Sequence, residues 1–128
     1  MRLTLLALAL AATAACSNKL SGSLEVDGKA FELDSCRSGQ VFGFSGVELR
    51  SKAGQKLRLV QTPTGEGAVM LFTSGTSVGT ELGKCGPFTL SQQNSTINDV
   101  KNVEGSATLD CSSEGHSVKG QVSFSNCH

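Results

Sequence analysis

From Leu20 onward, apolar and polar residues alternate in short runs separated by glycine-containing turns, the period-two signature of strands buried on one face. Leu24-Glu25-Val26 leads into Asp27-Gly28 and on to Phe31-Glu32-Leu33, which predicts a tight hairpin. Gln40 to Phe44, Val47 to Ser51 and Leu57 to Gln61 read as the next strands, with Lys52-Ala53-Gly54-Gln55 turning between the last two. Pro63, Gly65 and Gly67 break a loop from Thr62 to Gly67, and the unbroken apolar run Ala68 to Phe72 predicts a strand buried on both faces. The Gly-, Ser- and Thr-rich stretch Thr73 to Pro87 reads as a long loop. Strands resume at Phe88 to Ser91, Ile97 to Val103, Gly105 to Cys111 and Ser117 to Phe124.

No segment sustains an apolar period of 3.6, so the expected fold is all-β, a small antiparallel sandwich or barrel. Alternation puts Ala107, Leu109 and Cys111 on one face, and Val118, Gly120, Val122 and Phe124 on the matching face of the neighbouring strand; these should be core. With 128 residues and no repeat or compositional break, one domain is expected. Lys and Arg number eleven, Asp and Glu eleven, and the formal net charge is zero. That balance removes the electrostatic footprint of a nucleic-acid or anionic-membrane binder, so no nucleic-acid partner is expected.

The first residues read MRLTLLALALAATAAC, with a basic Arg2, an apolar run from Leu3 to about Ala12, and then small residues. This is the order of a secretory signal, and the run is too short for a bilayer span of about 20 helical residues. Thr13-Ala14-Ala15-Cys16 resembles the lipobox of bacterial lipoproteins, with Thr13 standing where Leu is usual. The resemblance covers residues 1–16 and implies a signal peptide over 1–15, an acylated Cys16, and Ser17 at a sorting position that permits outer-membrane delivery. Several acyl chains would anchor the protein firmly to the cell envelope. Residues 16–21 then form the lipidated Cys and a short tether, and 22–128 a single β domain. The rival reading is ordinary cleavage after Ala14, which leaves Ala15-Cys16 at the start of a secreted protein.

Cysteine arithmetic bears on that choice. Five Cys are an odd set, whereas lipid on Cys16 leaves Cys36, Cys85, Cys111 and Cys127 as an even one for an oxidising compartment. Three connectivities are open. Strand parity places Cys36 with Glu32 and Asp34, and Cys127 with Ser123 and Ser125, both off the core face unless a bulge intervenes, which leans toward Cys36 with Cys127 and Cys85 with Cys111. A metal site is disfavoured because no C-x-x-C pair is present, and no cofactor is expected.

Gly75-Thr76-Ser77-Val78-Gly79 fits the G-x-S-x-G pattern of a hydrolase nucleophile elbow, with Asp99, Asp110 and His116 following in triad order. The elbow needs a strand-turn-helix above a parallel sheet, and this stretch reads as a loop in a chain without helix signal. His116 falls in the turn Ser112 to Ser117 and His128 is the last residue, too few for a metal site by themselves. Glu32/Asp34 and Asp110/Glu114 lack the ligand density of a calcium loop, and Asn94-Ser95-Thr96 is a sequon that a bacterial lipoprotein would not ordinarily use. With six Phe, expected mostly in the core, and no Trp or Tyr, aromatic stacking sites for sugars lose weight, and a partner surface would rest on Arg37, Arg50, Arg58 and backbone edges. The leading expectation is a non-enzymatic, membrane-anchored binding or structural domain, with an envelope protein as its possible partner. The alternatives are a small inhibitor or accessory subunit docking through loops or a sheet edge, and a serine hydrolase using Ser77.

Overall fold

In the computed structural model, which describes residues 18–62, 67–97 and 99–128, the chain folds into two five-stranded antiparallel sheets. The strands are β1 (Lys19–Val26), β2 (Lys29–Phe31), β3 (Leu33–Ser38), β4 (Gly46–Ser51), β5 (Lys56–Gln61), β6 (Gly67–Phe72), β7 (Thr80–Gly83), β8 (Phe88–Ile97), β9 (Val100–Ser113) and β10 (His116–Cys127). One sheet has the order β2-β1-β10-β9-β8, the other β3-β4-β5-β6-β7. Asp27 and Gly28 both take positive φ, 53° and 76°, and Val26 pairs with Lys29 across them. A two-residue loop of that shape matches the strand twist, and so the expected hairpin forms.

Alternation holds through the long hairpin of β9 and β10. Ala107 and Leu109 face inward opposite Val122 and Gly120, and Val118 and Phe124 complete that face. The other sheet contributes Val47, Leu49, Leu57, Leu59, Val69 and Leu71, so the core is a single aliphatic layer between the sheets. Cys36 bonds Cys127 and Cys85 bonds Cys111. The first bridge joins the two sheets beside the start of β1, and the second ties the segment before β8 to β9.

Several expectations need correction. Gln40 to Phe44 is not a strand but a 3-10 turn at Gly39–Phe42, capped by the Ser38 hydroxyl, which accepts from the Gln40 N–H, and closed by Gly43 at φ 85°. The glycines on either side outweigh the apolar residues between them. Thr73 to Pro87 contains β7, whose Leu82 is buried; one apolar residue among four gives no legible alternation. Ala68 to Phe72 is a strand, but only Val69, Leu71 and Phe72 are buried, since Met70 points to the outer face. The two strands expected from Ile97 to Cys111 are one, beginning at Val100, and the tether expected through Ser21 gives way to β1 at Lys19.

Cys36 and Cys127 do not lie off the core face; they are 1% and 0% exposed. Each is turned inward by a bulge. On β3, Leu33 pairs with Ser51 but Ser35 with Arg50, and on β10, Phe124 pairs with Gly105 but Cys127 with Val103. One extra residue on each strand inverts its parity, which brings both sulfurs into the core. Cys16 and the signal segment lie outside the described residues, as do Pro63 and Gly65.

Candidate functional site

The outer face of the second sheet carries a cross-strand row in which Arg37 pairs with Glu48, Glu48 with Arg58, Arg58 with Met70, and Met70 with Glu81. Such positions share a face with side chains in contact range. A carboxylate at outer parity would ordinarily be solvated, yet Glu48 is 0% exposed. It stays charged-partnered because Arg50 donates from Nε to Oε2 at 2.9 Å and Arg58 from Nε to Oε1 at 3.1 Å. Each oxygen thus has its own cation, the condition under which a buried carboxylate is tolerated.

Aromatic rings roof this network. The 3-10 turn folds back over the sheet, placing the Phe42 ring 4.8 Å from the Arg58 guanidinium carbon, with Arg37 and Arg50 at 5.8 and 5.9 Å. Phe44, stacked with Phe42, lies 5.2 Å from Arg58, and the Phe72 ring lies 4.7 Å away. Three rings thus contact the Arg58 guanidinium while Glu48 holds its Nε, which together fix its orientation. Arg50 and Arg58 keep 33% and 26% of their side-chain exposure. Neither bonds any described side chain other than Glu48. Three guanidiniums surround one buried carboxylate, so the charge of the patch around Phe42 is positive, with the exposed Glu81 at the far end of the row. Val41 and Phe42, at its rim, are exposed.

The sequence singles out these three arginines as a partner surface, and the structure brings them together around one ring. It does not signal Glu48 as the buried pivot, nor Phe42 and Phe44 as a roof, because residues expected in a strand form the 3-10 turn. Of the six Phe, Phe31, Phe72 and Phe124 are buried, Phe44 and Phe88 are half-buried, and Phe42 is exposed, so the aromatic content is less confined to the core than its parity suggests.

Of the other candidates, Ser77 borders this patch and the rest fall elsewhere. Ser77 lines an open cleft of about 590 Å³ with Gly54, Lys56, Arg58, Phe72, Ser74, Gly75 and Thr76. His116 lies in a different cleft, at the β9–β10 turn, and its Nδ1 sits 2.8 Å from Asp27 Oδ2. The hydrogen bond with His116, then that from the Ser117 backbone N–H, holds the Asp27 carboxyl below the usual carboxylate range. The imidazole is thus engaged by Asp27, not by Asp99 or Asp110. Asp99 is in the β8–β9 turn with φ 63°, and the Asp110 N–H donates to the Cys85 carbonyl. The His128 main-chain oxygen accepts from Arg37 Nε at 3.4 Å. Among the described residues no group of three or more His, Cys, Asp or Glu converges as a metal site would need, and no helix is long and apolar enough to cross a membrane. Comparison of the chain with protein-family models, curated proteins and solved structures finds no match.

Proposed function

We propose that this protein is a bacterial envelope lipoprotein, anchored through acylated Cys16, whose β-sandwich is a non-enzymatic binding module. The anchor rests on the lipobox-like residues 13–16 and on the even set of cysteines beyond them. The observation that carries the binding role is the Glu48–Arg50–Arg58 network. A buried carboxylate that orients two half-exposed guanidiniums is costly as a stability device and useful as a presentation device. Intact-mass spectrometry of protein purified from the envelope should give a product starting at Cys16 with its acyl increments, and Cys16→Ser should release it into the soluble fraction. An unlipidated product starting at Ala15 would overturn the anchor.

An accessory-subunit role has one specific support. β8 is the last strand of its sheet, carries neither Pro nor Lys, and pairs regularly with β9 from Phe88 to Gln92 before a bulge. Such an edge presents backbone groups suited to strand addition. Charge placed along β8, as in Thr89→Lys, would abolish partner binding in this reading and leave it intact in the first.

A further inference from the structure

The start of β1 is tied to one end of the sandwich. Asn18 donates from Nδ2 to the Asn126 carbonyl at 2.8 Å, and its Oδ1 accepts the Cys36 N–H at 3.0 Å. The Cys36–Cys127 bridge lies beside these bonds, and Arg37, the next residue on β3, reaches the His128 oxygen. Asn18 is two residues from Cys16, a span of roughly 7 Å at most when extended. An acylated Cys16 would therefore hold this end of the domain against the bilayer.

The same end carries the 3-10 turn. β3 leaves it at Ser38 and β4 re-enters at Gly46, opposite Val60 near the end of β5. Val41 and Phe42, at 38% and 37% exposure, are two of the three exposed large apolar residues among those described, and Arg37 flanks them. The third, Val78, is in the loop between β6 and β7 at the opposite end, since β6 ends where Phe72 pairs with Lys56 at the start of β5. An apolar tip beside clustered guanidiniums is the composition of a surface that enters a headgroup layer, apolar atoms toward the acyl boundary and cations at the phosphates.

We infer that the Arg37–Arg50–Arg58 face with Val41 and Phe42 docks on anionic phospholipid headgroups of the bilayer that holds the anchor, so that the domain lies on the membrane in one fixed orientation. The inference builds on the anchor proposed above. Tethering makes the docking intramolecular, so an individually weak contact is sufficient. Charges near this end also include Lys19 and Lys101 on the cationic side and Asp99 and Glu104 on the anionic side, so the excess of cations there rests on the arginines.

Because the chain has no Trp, Phe42→Trp reports on position 42 alone, and Ala30→Trp, at an exposed position on β2 of the other sheet, is its control. Each full-length protein is reconstituted into phosphatidylglycerol or phosphatidylcholine vesicles containing brominated acyl chains. Docking requires that Phe42→Trp emission is quenched and blue-shifted in the anionic vesicles, that the quenching falls as salt is raised, and that Ala30→Trp is unaffected. Arg37→Gln in the Phe42→Trp background should reduce quenching roughly two-fold; Arg37 does not bond Glu48, so this change leaves the buried carboxylate paired. Equal quenching at positions 42 and 30, or quenching indifferent to lipid charge and salt, overturns the docking face. The acyl mass is read on the same samples. Its absence overturns the anchor alone, and the response of Phe42→Trp to anionic vesicles then still decides the docking face.

Discussion

Removing Arg58 should cost far more than removing the carboxylate it pairs with. Glu48 is fully buried, whereas the Arg58 side chain is 26% and that of Arg50 33% exposed. In Glu48→Gln the arginines can turn to water, and the amide retains one acceptor, so the loss is about one charge-assisted bond, roughly 1.5–3 kcal/mol. In Arg58→Met, Oε1 of a buried carboxylate loses its donor, a cost of about 3–5 kcal/mol for a broken buried pair. Loss of the guanidinium contacts with Phe42, Phe44 and Phe72 adds about 0.5–1 kcal/mol. Against a total of about 5–15 kcal/mol, Arg58→Met should unfold a visible fraction of the protein, with Tm lowered by roughly 10 °C or more. The double variant Glu48→Gln/Arg58→Met should be more stable than the sum of the singles by about 1–3 kcal/mol, because no unpaired charge remains. Urea denaturation of detergent-solubilised protein, followed by circular dichroism, measures all three. Additive losses, or Glu48→Gln costing as much as Arg58→Met, would refute the presence of a desolvated carboxylate at the centre of the patch.

The bridges should rank by loop length. Cys36–Cys127 spans 91 residues and Cys85–Cys111 spans 26, so chain entropy gives about 4.6 and 3.6 kcal/mol, and paired Cys→Ala variants should lose stability in that order. Cys111 is only half-buried, so on titration with reductant the Cys85–Cys111 pair should open first, as alkylation mapping would show. Asp27 has a depressed folded-state pKa through His116 and Ser117, so its contribution is present above the ordinary carboxylate value of 3.8 and is lost as pH falls through the lower, folded one. Asp27→Asn should therefore destabilise at neutral pH, and the difference from the unaltered protein in urea midpoint should shrink as pH falls below 3.8; a constant difference would contradict the assignment.

How much of this was legible depended on how far each signal extended along the chain. The alternation of β9 and β10 runs over many residues, and the inward positions from Ala107 to Phe124 follow from it directly. Bulges carry no such signal, since a single inserted residue at Asp34 or near Asn126 looks like any other polar position. The favoured cysteine pairing is present although its rationale fails. Parity was inverted on both strands, the two errors cancelled, and the cysteines still met, inside the core instead of outside it. The arginines were legible as exposed cations. Glu48 was not, because its burial depends on a turn that folds back over the sheet from residues expected to extend it.

Net charge misleads at this scale. Eleven charges of each sign cancel over the chain, but a bilayer or partner senses those within a screening length of about 8–10 Å. Asp27 and Glu114 lie at the hairpin turns beyond the far ends of β1 and β9, away from the Cys127 end of β10. Glu48 neutralises part of the arginine patch, but it does so from beneath, through the two Nε atoms, so the carboxylate is withheld from anything approaching from solvent while the guanidiniums are not. The neutral sum speaks against anionic surfaces, whereas the arrangement gathers three partly exposed guanidiniums around Phe42, and the docking proposed above rests on that arrangement. The buried acid is what gives a formally neutral chain a fixed cationic face.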